Sequence, residues 1–215
     1  MKVIEAIALN GIQGSGKSTL AREVVRQLGI LLGEAGAQCL DITNLKMPSQ
    51  KPFLKKAKAS TDSWDVHIEY ANSLCPAYVE EWGVVHVACM GIVPVLDGSE
   101  LAAFAYARRF PGRDRVMGEM FVSGGMTGGY VASDQVIVRT SPDCAWERLQ
   151  ARPNKGQYDP QSPREVEDEQ KHYELAWEEY SKYLPLNINV IEVQNEDVSL
   201  SLLAQGIIKQ SSFVR

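Results

Sequence analysis

The sequence predicts an α/β fold of three layers: a parallel five-stranded sheet with helices on both faces. Two observations carry this. Short apolar runs alternate with segments whose apolar residues recur at helical spacing, which is the pattern of a parallel sheet buried on both sides. A glycine-rich segment, residues 11 to 18, then joins the first apolar run to the first helical pattern. With 45% apolar and 23% charged residues the chain is globular rather than disordered, collagen-like or coiled-coil. Its 215 residues suit one domain with a lid region at about 148–165.

Each element has a local reason. Residues 3–9 form a continuous apolar run ending in Asn10-Gly11, as expected of a buried parallel strand. From Lys17, the spacing of Leu20, Val24, Leu28 and Leu31 predicts a helix that ends near Gly33–Gly36. A second strand is expected at 38–41. Residues 43–61 contain Pro48 and Pro52 and read as loop, after which Asp62 or Ser63 caps a helix carrying Trp64, Ile68, Leu74 and Trp82. A third strand at 92–96 leads into Asp97-Gly98-Ser99, and a helix over 99–110 ends at Pro111-Gly112. A fourth strand covers 134–140, with Ser141-Pro142-Asp143 opening the next helix, which stops near Arg152-Pro153. An acidic helix then places Val166, Tyr173, Trp177 and Tyr180 on one face. A fifth strand at 188–193 and a helix at 199–209 follow.

Charge is uneven. Five lysines (Lys46, Lys51, Lys55, Lys56, Lys58) lie between Asp41 and Asp62 with no acid among them. Residues 165–179 are the reverse and read as a solvated helix face. The net charge of −5 argues against a general nucleic-acid coat. No apolar stretch approaches the roughly 20 residues of a membrane span, so no membrane partner and a cytoplasmic location are expected. Cys39, Cys75, Cys89 and Cys144 are far apart and lack Cys-x-x-Cys spacing, which excludes a zinc site or a disulfide framework. His67, His86 and His172 suggest neither catalysis nor metal binding.

The strongest chemical signal is Gly11-Ile12-Gln13-Gly14-Ser15-Gly16-Lys17-Ser18, a complete G-x-x-x-x-G-K-S in the strand-to-helix context it requires. The glycines let successive main-chain N–H groups converge, so that with the helix N-terminus they hold a phosphate. Gly11, Gln13, Gly14, Ser15, Gly16, Lys17, Ser18 and Thr19 are the expected ATP-binding residues. Lys17 is assigned to the β/γ oxygens and Ser18 to Mg²⁺. The fold expected is therefore that of a P-loop NTPase. Strand four, V-I-V-R-T, ends without the acidic pair of an ABC-type ATPase, and the N-K-x-D base-reading motif of a GTPase is absent. A small-substrate kinase remains.

Over nearly its whole length the sequence resembles the thymidylate kinase and deoxynucleoside kinase family. Beyond the loop, the likeness rests on Asp41 at the end of strand two and on Asp97-Gly98-Ser99 followed by Leu101-Ala102-Ala103-Phe104-Ala105-Tyr106-Ala107. It also rests on Val138-Arg139-Thr140-Ser141-Pro142-Asp143 and on the R-x-x-x-R spacing of Arg148 and Arg152. The resemblance implies transfer of the γ-phosphoryl group of ATP to a nucleoside or nucleotide, with a pyrimidine as the expected base, and a homodimer. Asp97 is the expected second Mg²⁺ residue and Asp41 the residue that orients or deprotonates the acceptor hydroxyl. Arg148 and Arg152, four residues apart on one helix face, are expected to offset charge on the transferred group. Trp64, Tyr70, Asn72, Phe104 and Tyr106 are expected to line the acceptor pocket.

Two positions depart from the family pattern: Gly98 stands where relatives carry Arg, and Ala107 where they carry Gln. With the lysine segment at 46–58, which suits DNA phosphates, they motivate an alternative acceptor: a modified base within DNA, as in phage-type hydroxymethyluracil kinases. A non-catalytic nucleotide-binding regulatory module is a third reading.

Overall fold

The computed structural model describes residues 2–32, 37–40, 63–65, 68–69, 92–108, 113–123, 130–153 and 159–212, with backbone alone for 37–40, Ala103, Tyr106 and Asp114. The elements in chain order are β1 (Lys2–Asn10), α1 (Lys17–Leu32), β2 (Ala37–Leu40), β3 (Val93–Asp97), α2 (Leu101–Ala107) and α3 (Asp114–Val122). They continue with β4 (Tyr130–Arg139), α4 (Pro142–Gln150), α5 (Pro163–Tyr180), a 3₁₀ turn (Ser181–Tyr183), β5 (Asn189–Gln194) and α6 (Leu200–Gln210). The strands form one five-stranded sheet in the order β2-β3-β1-β4-β5, with every pairing parallel. The expected three-layer α/β fold is therefore present.

Each face of the sheet carries its own core. On one side Leu20, Val24 and Leu28 of α1 and Ala204, Ile207 and Ile208 of α6 meet Ile7, Leu9, Val95, Val136 and Ile191. On the other, α2, α3 and α5 close over Ala6, Ala8, Leu96, Val131 and Ile137. The centre of this second core is aromatic. Phe104 meets Tyr180 and Phe121 edge-on at 5.3 and 6.0 Å between ring centroids, and Phe121 and Tyr180 lie 5.1 Å apart. Burial of each such ring contributes about 1.5–3 kcal/mol, and this fixes α5 across β1 and β4.

Helix starts follow sequence chemistry. Ser141, Ser162 and Ser199 cap α4, α5 and α6 by accepting the N–H groups of Cys144, Glu165 and Leu202, and Pro142 and Pro163 occupy the first helical positions. Two elements differ from expectation. β4 begins at Tyr130 rather than 134, because Val131 and Ala132 continue the pairing with Val3 and Ile4. The polar residues that broke the apolar pattern are satisfied inside the sheet. The Ser133 hydroxyl bridges the N–H and carbonyl of Ala6, and Asp134 accepts hydrogen bonds from Asn189 and Ser212. α2 is shorter than the expected 99–110 helix, and a further helix, α3, follows it. Gly118 obscures the helical pattern of α3. Its missing side chain is the space filled by the Tyr183 ring.

Parallel strand order gathers the C-terminal ends of β1, β3 and β4 along one edge of the sheet, where the glycine-rich loop lies. Leu9 pairs with Asp97, and the N–H of Gly98 donates to the Leu9 carbonyl at 3.0 Å. Among the described residues no helix is long and apolar enough to cross a membrane.

Candidate functional site

The loop from Gly11 to Ser18 wraps as its composition demands. Gly14 and Gly16 have φ of +82° and +80°, a region that side chains other than glycine rarely adopt. Sterics add a second constraint. A Cβ on Gly14 would collide with the Ala145 carbonyl in the first turn of α4, and one on Gly11 would lie 2.6 Å from the Val138 carbonyl. The loop ends by turning into α1, where the Gly16 carbonyl accepts the N–H groups of Thr19 and Leu20 at 3.1 and 3.0 Å. The N–H groups at the head of α1 therefore border a cradle suited to an anion. Lys17 bends back so that its ammonium donates to the Ile12 carbonyl at 3.4 Å, which keeps the charge over the cradle.

The expected metal residues stand on neighbouring elements, with Ser18 in the first turn of α1 and Asp97, 4% exposed, at the end of β3. Among the described residues no group of three or more His, Cys, Asp or Glu could hold a metal. One hydroxyl and one carboxylate, with phosphate oxygens and water completing the shell, is the donor set that Mg²⁺ accepts. The side chains and the cradle thus fit a Mg²⁺-nucleotide, which would supply the transferable phosphoryl group. Beneath the loop, the Asn10 amide donates to Gln135 at 3.0 Å and accepts from the Ser99 hydroxyl at 2.5 Å, which ties β1, β4 and the strand-three turn together.

The two arginines expected to act together part company. Arg148, in the last turn of α4, donates to the Ser15 carbonyl at 3.3 Å, whereas Arg152 lies past the helix end and pairs with Asp159 at 3.2 Å. The shared helix face expected from their spacing is lost because α4 ends at Gln150. Arg148 stands at the glycine-rich loop and Arg152 is paired with Asp159.

Of the expected acceptor residues, Phe104 is only 2% exposed within the aromatic core and presents no surface to a ligand, which corrects its assignment as a pocket residue. Trp64 is partly buried against that core, with the Arg113 guanidinium 5.3 Å from its ring centroid. Tyr106 belongs to α2 by its backbone. Asp41, Tyr70, Asn72 and the lysines of 46–58 lie outside the described residues. Gly98 has φ of +99°, so the turn after Asp97 adopts a conformation that the family's Arg would strain.

Two further residues reach the loop, and a third the start of α4, without a motif to announce them. Glu169, on the acidic face of α5, accepts the Gln13 N–H at 3.0 Å. Asn195, just after β5, donates to the Ser15 carbonyl at 2.7 Å. Glu196 accepts the Ser141 N–H at 2.5 Å, and that bond holds its carboxyl below the usual range, with the nearby Arg148 adding to the effect. A cavity of about 300 Å³ lies beside Gly11 and Ile12, walled by Tyr173 and Trp177 of α5 and by the end of β4.

Fold and loop together define the class: a P-loop nucleotide-binding protein with the architecture of the P-loop phosphotransferases. The chain belongs to the AAA domain family, whose model matches residues 7–172. Comparison with curated protein sequences finds no match. Among solved structures it is similar to deoxyadenosine kinase from M. mycoides with products dCMP and a flexible dCDP bound, at 14% identity and a TM-score of 0.62, covering 95% of this chain and 97% of that one. The same kinase with bound dCTP gives 15% identity and a TM-score of 0.61, covering 95% and 97% of the two chains. With bound dATP it gives 15% and 0.62, covering 95% and 99%.

Proposed function

We propose that this protein is an ATP-dependent kinase that transfers the γ-phosphoryl group to a nucleoside or nucleotide, with a deoxypyrimidine as the first candidate acceptor. The single observation that carries the reading is the cradle: a loop that only glycine can trace at 14 and 16, with Lys17 and Arg148 brought to it from two helices. The likeness in fold to a deoxynucleoside kinase over 95% of the chain supports the choice of acceptor class. In this reading Lys17 binds the β/γ oxygens, Ser18 and Asp97 hold Mg²⁺, and Asp41 orients or deprotonates the acceptor hydroxyl. Arg148 moves from the Ser15 carbonyl to the phosphoryl oxygens as charge spreads over them. Arg152 secures the lid through Asp159. Trp64, Tyr70, Asn72 and Tyr106 serve the acceptor, and the protein works in the cytoplasm as a homodimer.

A second reading keeps the chemistry and places the acceptor base within DNA. It is favoured by Gly98, which stands in place of the family's Arg at a φ of +99° that an Arg would strain, and by the lysines at 46–58. Transfer from γ-labelled ATP to a panel of nucleosides, monophosphates, plain DNA and hydroxymethyluracil DNA, with products separated by size, decides between them. A labelled small product supports the first reading and labelled polymer the second. Nucleotide binding without product on any acceptor would leave a regulatory module and refute both. Replacing Lys51, Lys55, Lys56 and Lys58 by Gln is expected to suppress transfer to DNA and to leave transfer to free nucleosides nearly unaltered.

A further inference from the structure

We infer that Asn195 is a positioning residue of the phosphate loop: it holds the Ser15 carbonyl outward and so turns the Gly16 N–H inward, toward the phosphates. The inference rests on the reading of the loop as a nucleotide site and adds a residue that no motif assigns.

Geometry carries the argument. The Ser15 carbonyl and the Gly16 N–H belong to one trans peptide, so they point in opposite directions, and fixing one fixes the other. Asn195 fixes the carbonyl with a 2.7 Å hydrogen bond from its side-chain amide, and only the NH₂ end of that amide can donate to a carbonyl. Asn195 is itself immobilised. Its N–H donates to the Arg139 carbonyl at 2.9 Å, its carbonyl accepts the Thr140 hydroxyl at 3.4 Å, and only 3% of the residue is exposed. The approach is close enough that a Cβ on Gly16 would lie 2.6 Å from the Asn195 amide nitrogen, so Gly16 is required by its neighbour as well as by its φ.

Arg148 donates to the same carbonyl, but at 3.3 Å and from a partly exposed, flexible side chain. The division of labour follows from this difference. Asn195 keeps the peptide oriented when Arg148 leaves for the phosphates, so the loop stays formed throughout the cycle. Because Thr140 and Asn195 join the ends of β4 and β5, the loop is anchored to the sheet rather than to the lid.

The test compares Asn195→Asp with Arg148→Met by titration calorimetry against Mg-ADP and Mg-ATP, together with steady-state kinetics. Asp preserves the shape of the side chain but sets an acceptor against a carbonyl, so the peptide loses its anchor. Asn195→Asp is expected to raise Kd for both nucleotides in parallel by about tenfold, the equivalent of one hydrogen bond to the phosphate, and to raise KM for ATP more than it lowers kcat. Arg148→Met is expected to lower kcat far more than it raises Kd for Mg-ADP. Wild-type affinity for Mg-ADP in a folded Asn195→Asp variant would overturn the inference and leave the kinase reading intact. Absence of nucleotide binding by the wild-type protein would overturn both. Should Asn195→Asp not fold, Asn195→Ala leaves the carbonyl to Arg148 alone and is read by the same parallel rise in Kd, with an unchanged Kd again refuting the role.

Discussion

Gly14→Ala isolates what the loop contributes. At φ of +82° an alanine is held in the left-handed region, at about 1–2 kcal/mol. The added methyl also meets a main-chain carbonyl, that of Ala145, rather than the end of a flexible side chain. Ala145 is locked into the first turn of α4 by its own N–H bond to the Ser141 carbonyl at 2.9 Å, so the loop yields before the helix does. Overpacking of this kind adds about 1–3 kcal/mol. If about 1.4 kcal/mol or more of the total falls on the nucleotide-binding conformation, Kd for Mg-ATP rises at least about tenfold. Gly29→Ala is the matched control. It lies in α1 with nothing within 4 Å of the added methyl, so about 0.5–1 kcal/mol of stability is gained and nucleotide affinity stays the same. Calorimetry and thermal melts of both variants make the comparison. Identical Mg-ATP affinity and Tm in Gly14→Ala and wild type would refute the packing argument.

Other consequences are open to measurement. The Tyr180 hydroxyl donates to the Glu100 carboxylate, both residues being buried within 2% of complete, so Tyr180→Phe is expected to destabilise by about 2 kcal/mol. For a chain of this length the melting temperature then falls by about 4–8 °C, and an unchanged Tm would contradict the role of this bond. Acid stability follows from four lowered carboxyls. Glu23 is drawn down to about 2 by Arg26 and then Gln27, Glu179 is lowered by Lys182 and then Tyr183, Glu192 by Arg139, and Glu196 by the Ser141 N–H. Their contribution to stability is present above the ordinary carboxyl value of 4.5 and is lost as pH falls toward about 2. Melting temperature is therefore expected to decline between pH 5 and pH 2.5, and less steeply in high salt because the pairs are exposed. A flat profile would contradict these assignments.

What the sequence disclosed, and what it concealed, follows from the kind of constraint each residue answers to. The loop was legible because its conformation dictates residue type locally: glycine where φ is positive, then Lys and Ser at the head of a helix. The helix starts at Ser141 and Ser199 were legible for the same reason, whereas the cap at Ser162 lay in a stretch that its prolines made read as loop. Periodicity placed Tyr173, Trp177 and Tyr180 on the inner face of α5, as found. The family resemblance misled at Phe104, because an inward-facing aromatic on that helix looks the same in sequence whether it meets a ligand or, as here, Tyr180 and Phe121. The first residues of β4, 130–133, were hidden because their partners, Val3, Ile4 and Ala6 of β1, are far away in sequence. Asn195 was the least accessible of all, lying 180 positions from the carbonyl it holds. Glu169 was masked by its acidic neighbours, which form the solvated face that their composition suggests.

The most direct test is calorimetric titration of the full chain with Mg-ATP, run beside Lys17→Ala. Saturable binding of one nucleotide per chain, weakened at least about tenfold when the ammonium is removed, is the expected result. A protein that stays folded and shows no heat of association with Mg-ATP, or binds it equally well without Lys17, would contradict the central claim that the loop at residues 11–18 holds the phosphates.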